Sequence, residues 1–148
     1  MIKHLLEILL FASVSINAAL LMFFAGVYRK IMNGIDGMTF KKITDLLVHY
    51  SSRSLFMIIA LNLPILVAIP YYCVVGFGNW WVTSSLIVWL VGGSVAKMLK
   101  LPVYKTIAKP EDKDAVDLTQ LSHKLNNGNI LQAWLYSIAV ILMAFGLA

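Results

Sequence analysis

LFMIIALNLPILVAIPYYCVVG, residues 55–76, contains no charged side chain and decides the class of fold. Its length matches the roughly 20 residues that an α-helix needs to cross the hydrocarbon core of a bilayer. Asn62, Pro64 and Pro70 fall inside it. A helix in water tolerates interior prolines poorly, whereas in a membrane neighbouring helices can satisfy the freed carbonyls, so a kinked membrane span is expected.

Similar runs lie on both sides. One extends from about Leu5 to Val27, broken only by Glu7, Ser13, Ser15 and Asn17; another from Trp80 to Met98; a last from Ile130 to Leu147. The first continues well past any cleavage point near Ala18, and Glu7 interrupts what would be an apolar signal core, so it reads as a span rather than a removed leader. Trp80 and Trp81 suit an interfacial anchor, and Gly92, Gly93 and Ser94 permit close helix approach. Four spans use nearly all of the 148 residues, which leaves one integral membrane domain, 1–148, and no separate soluble one. Composition agrees: 60% of residues are hydrophobic and 13% charged, against about 25% charged in soluble domains.

The connections set the expected orientation. Only a few residues around Gly76, Phe77 and Gly78 separate spans two and three, giving an antiparallel hairpin. The other two connections are longer. They and their flanks carry Arg29, Lys30, Lys41, Lys42 and Arg53, then Lys97, Lys100, Lys105, Lys109, Lys113 and Lys124, eleven of the twelve basic residues. The cytoplasmic side retains Lys and Arg, so the long basic loops are expected there and both termini outside. The net charge of +5 is thereby explained by membrane orientation, without a nucleic-acid partner.

Two short interfacial helices are expected on the cytoplasmic side of this all-α, four-helix transmembrane bundle. In the first, Phe40, Ile43, Leu47 and Tyr50 recur at helical spacing, with Thr39 as its cap. In the second, Pro110, Glu111 and Asp112 form a first turn, Leu118, Leu121 and Leu125 line a face, and Asn126, Asn127 and Gly128 supply a stop. Asn129 then caps the final span. The stretch Lys100-Leu101-Pro102-Val103-Tyr104-Lys105 is read as a turn ending span three at the cytoplasmic mouth.

Few residues offer chemistry. Cys73 is the only cysteine, which rules out an intrachain disulfide or a thiolate metal cluster. His4, His49 and His123 share no helical spacing suited to joint ligation, and no metal or cofactor is expected. Glu7 is an intramembrane acid and a candidate for proton coupling, although one turn into its span it can also reach the interface and pair with Lys3 or His4. Asn17 falls near the middle of span one, Asn62 somewhat to the cytoplasmic side of the middle of span two, and Gln132 and Tyr136 share a face of the last. These four either hydrogen-bond across helices, which needs no void, or converge on a ligand, which needs one. Tyr104 and Asn129, with Lys105, lie at the mouth of such a site.

The order of elements also carries a resemblance. Phe23-Phe24-Ala25-Gly26-Val27-Tyr28 ends span one, Leu101-Pro102-Val103-Tyr104 follows span three, and an Asn-rich lead-in precedes span four. In this layout the chain resembles the small four-span anthrone-oxygenase-like membrane proteins. That resemblance implies a four-helix membrane fold and, from its fungal members, cofactor-free oxidation of anthrones. The family's last motif, tryptophan, asparagine, histidine and arginine, corresponds here to Leu125, Asn126 or Asn127, Asn129 and Gln132. Only the asparagine is retained. The histidine that would accept a proton and the arginine that would stabilise an enolate-like anion are replaced.

The function expected is that of a multi-pass membrane module binding a lipid-like or quinone-like small molecule, or a partner helix, in the bilayer, with homo-oligomerisation open. The alternatives are a cofactor-independent anthrone-type oxygenase and a small proton-coupled exporter using Glu7.

Overall fold

A computed structural model describes residues 1–107 and 118–148, and these are helical almost throughout. Five helices form: α1, Ile2–Asn33; α2, Gly37–Arg53; α3, Leu55–Val75; α4, Trp80–Ile107; and α5, Leu118–Leu147. Four of them, α1, α3, α4 and α5, are long and apolar enough to cross a membrane. The fold is thus that of an integral membrane protein.

Three spans outrun the boundaries read from hydropathy. At about 1.5 Å per residue, the 32 residues of α1 and the 30 of α5 greatly exceed a hydrocarbon core of about 30 Å. Their surplus turns meet at the basic end. There Tyr28 and Met32 of α1, Phe40 of α2, Val103 and Ile107 of α4, and Leu125 of α5 form a core of their own. This packing explains why the expected stops do not operate. Asn126, Asn127 and Gly128 lie inside α5, Asn129 is mid-helical rather than a cap, and Lys100–Lys105 continue α4 instead of turning. No separate second interfacial helix is formed by Leu118, Leu121 and Leu125, which begin α5. Its proposed first turn, Pro110–Asp112, lies outside the described residues.

Two wide π-turns interrupt the long helices, at Phe24–Tyr28 in α1 and at Ala96–Lys100 in α4. The Arg29 amide donates to the Phe24 carbonyl, and the Leu101 amide to the Ala96 carbonyl, each five residues back. In α4 this change of register falls immediately before Pro102, which has no amide hydrogen to contribute to a regular ladder.

Helix α2 starts one turn earlier than Thr39 would allow as a cap. The Asp36 carboxylate accepts from the Met38 and Thr39 amides, both at 3.0 Å, and Thr39 donates its hydroxyl to the same carboxylate at 2.6 Å. An extended backbone at Asp36 and two amide acceptors make it the N-cap. Phe40 is buried and Ile43 and Leu47 pack on the basic-end core, but Tyr50 stays exposed.

The membrane core runs along one stripe of each helix. Leu10, Val14, Ala18 and Leu21 of α1 meet Val67 and Tyr71 of α3, Leu86 and Trp89 of α4, and Ala133, Tyr136 and Ala139 of α5. Small residues let the backbones approach. Ser85 donates to the Ala139 carbonyl across the α4–α5 contact at 2.6 Å, as expected where van der Waals contact and interhelical hydrogen bonds replace the hydrophobic effect.

Helix α5 packs against α4 and α1, and α3 packs on α1 and the end of α2. The pair α3 and α4, adjacent in sequence, is held together chiefly at its turn, where the Tyr72 hydroxyl donates to Thr83 at 3.0 Å and the Tyr72 and Phe77 rings stack. The bundle is therefore open along this side. Only 11% of the most apolar stretch of α3 is buried within the chain, against 33% for α1.

Candidate ligand cleft at the basic end

All five helices line one cleft of about 550 Å³, within the range of about 300–1,000 Å³ usual for small-molecule sites. Leu20, Leu21 and Phe24 come from α1, Leu47 and Val48 from α2, and Met57, Ile58 and Leu61 from α3. These make its apolar walls. Its polar wall comes from α4 and α5: Lys97, Lys100 and Tyr104 on one, Asn129, Gln132 and Tyr136 on the other.

Helical spacing builds that wall. Asn129, Gln132 and Tyr136 recur at three and four residues along α5, and Lys100 and Tyr104 are four apart on α4, so each set occupies one face. Lys100 is 7% exposed and Asn129 3%. The ammonium donates to Asn129 Oδ1 at 2.9 Å. Gln132 Nε2 donates to the Tyr136 hydroxyl at 3.2 Å, which leaves Gln132 Oε1 buried without a partner. The Tyr136 ring is stacked on Trp89, with centroids 5.9 Å apart.

Two glycines admit these side chains. A methyl group at Gly128 would come within 2.9 Å of Lys100 Cγ, and one at Gly92 would overlap the Tyr136 ring. Glycine is unfavourable inside a helix, so its presence at both contacts reflects the space these side chains take.

Of the sequence-derived candidates, Asn62, Tyr104, Asn129, Gln132 and Tyr136 line this cleft, and Asn17 and Glu7 do not. Asn17, 1% exposed, donates to the Ser13 carbonyl of its own helix at 3.0 Å and to the Ala60 carbonyl of α3 at 2.9 Å, a bond between helices. Asn62 donates to Ile58 of its own helix at 2.7 Å. Glu7 sits with His4 at 3.1 Å and Lys3 at 3.8 Å near the start of α1. Lys105, expected beside Tyr104, is exposed and outside the cleft.

Lys100 and the two glycines were not among the expected site residues. The pattern that marks Lys100 is its spacing from Lys97 and Tyr104, visible only if α4 continues through Pro102.

The described lining holds two lysines and no aspartate, glutamate, histidine or cysteine. Such a wall can donate hydrogen bonds and offer positive charge; of the groups that serve as general bases it holds lysine and tyrosine, and no carboxylate or imidazole among the described residues. Among the described residues no group of three His, Cys, Asp or Glu side chains is placed to hold a metal. Comparison with protein-family models, curated proteins and solved structures finds no match to this chain.

Proposed function

We propose that this membrane protein binds an amphipathic small molecule that enters from the bilayer, its polar end against Lys100, Asn129, Gln132 and Tyr136 and its apolar body against α1, α2 and α3. The observation that carries this reading is the convergence of buried Lys100, Asn129, Gln132 and Tyr136, with Gln132 Oε1 left without a partner, on the wall of a cleft large enough for a ligand. A purely structural polar cluster needs contacts between helices and no such void beside it.

The weak packing between α3 and α4 supplies a lateral route. Nearer their turn, Ile65, Ile69, Thr83, Leu86 and Leu90 line a second, almost wholly apolar groove of about 610 Å³. It suits a hydrocarbon tail of such a ligand. In the proposed orientation the basic connections face the cytoplasm and both termini lie outside, so the cleft lies toward the cytoplasmic leaflet.

The oxygenase alternative uses the same place. Lys100 brings from α4 a cation next to Asn129, near where the resembled family carries arginine on its last span. The histidine of that family has no counterpart in the described lining, and binding is the reading we adopt.

The test is saturable binding of a fluorescent fatty acid to the detergent-solubilised chain. Ala96 lines the cleft, and Ala96→Phe fills it. We expect the variant to keep its helical signal and to lose affinity by about tenfold or more, which corresponds to about 1.4 kcal/mol. Undiminished binding would overturn the assignment of the cleft.

A further inference from the structure

Resting on that reading of the cleft, we infer that its occupant is an anionic amphiphile, with an oxyanion head group seated on Lys100 and the α5 amides. Lys100 is 7% exposed, and its described hydrogen bond is the single one to Asn129. An ammonium has three N–H donors. The described salt bridges both involve Glu7, near the start of α1, and no carboxylate among the described residues faces Lys100. A buried cation without a counterion is strongly unfavourable, and a charge-assisted bond to an oxyanion is the strongest remedy.

The surroundings fit an anion rather than a neutral acceptor. Lys97 adds a second positive charge to the lining, and no described acidic residue offsets it. Asn129 has its Nδ2 donor to offer, because its Oδ1 is taken by Lys100. The Tyr136 hydroxyl accepts from Gln132 and retains its own hydrogen. A half-turn of the Gln132 amide would let Oε1 accept that hydrogen and present Nε2 as the donor in its place. Gly128 keeps the Lys100 stem against α5, so the ammonium is placed rather than free to swing out.

A carboxylate and a phosphate head share this chemistry, and the apolar walls require that either be joined to a hydrocarbon body. The experiment labels the solubilised protein with a photoreactive fatty acid and, in parallel, with the fatty alcohol of the same chain. Labelled cleft peptides are read by mass spectrometry, with unlabelled oleate, oleyl alcohol, lysophosphatidate and inorganic phosphate as competitors. We expect the acid to be held at least about tenfold more tightly than the alcohol. Oleate and lysophosphatidate should compete, and inorganic phosphate should not. Lys100→Gln should erase the preference for the acid over the alcohol, and Lys100→Arg should keep the preference.

Equal labelling by acid and alcohol in the unmodified protein would overturn the anionic head while leaving the cleft as a binding site. Competition by inorganic phosphate as strong as by oleate would overturn the amphiphile. Absence of cleft labelling by either probe would overturn both this inference and the proposed function. The comparison of the two probes needs no variant, so a misfolded Lys100→Gln protein would not rescue the idea.

Discussion

Gly92 and Tyr136 illustrate how single side chains set the site. The Tyr136 ring fills the place where a residue larger than glycine would project from α4, so Gly92→Ala overpacks the contact. We expect a loss of about 1–3 kcal/mol, read as a lower melting temperature, with Gly93→Ala much milder because its nearest neighbour is the Tyr136 hydroxyl at 3.8 Å. Asp36 gives a pH test. The Thr39 hydroxyl first, and then the backbone amides, hold its carboxyl below the ordinary value. Its contribution to the start of α2 is therefore present above the unfolded pKa and lost as pH falls through the lower folded value. Faster hydrogen exchange at the Met38 and Thr39 amides over that acidic window is expected, and it should appear already at neutral pH in Asp36→Ala. At this scale the sequence was informative where spacing alone decides, as for Gln132 and Tyr136. It was not informative for Asn17, whose bond to Ala60 depends on which helix lies opposite, nor for Lys100, whose burial depends on a glycine 28 positions later.

The elements show which boundaries hydropathy can and cannot fix. The apolar centres of all four spans were legible, because crossing a bilayer demands an uninterrupted run. Their ends at the basic side were not, since the core around Tyr28, Phe40, Val103 and Leu125 prolongs the helices past local stop signals. Pro102 tests this. In a regular helix interior, replacing proline by alanine should stabilise by about 3 kcal/mol. Here the register change at Ala96–Lys100 already frees the ladder before it, so we expect Pro102→Ala to alter stability by less than about 1 kcal/mol in thermal or denaturant unfolding. A gain near the full value would mean that the wide turn is not accommodating the proline. At the other end, Asn79 accepts from the Val82 amide at 3.3 Å and donates to the Gly146 carbonyl at 2.6 Å. Asn79→Ala removes a cap and a tie to α5, and should cost about 1–2 kcal/mol.

At the scale of the molecule, four spans, an open side between α3 and α4, and a cleft facing the basic connections form one arrangement. The even number of spans was readable from the four apolar runs, but the opening was not. Adjacent hairpin helices ordinarily pack together, whereas here α5 takes the contact with α4 and α1 takes that with α3. Four spans and the basic connections together lead us to expect a reporter fused after Ala148 outside the cytoplasm and a tag beside Lys41 and Lys42 inside; the reverse result would invert the orientation while keeping the fold. Central to the proposed function is ligand binding in this cleft. The direct measurement is mass spectrometry of what co-purifies with the protein in mild detergent, run alongside Ala96→Phe. The expected result is an amphipathic species at near-stoichiometric amounts in the unmodified protein and its loss from the cleft-filled variant. An empty protein, or equal retention by both, would contradict ligand binding in this cleft.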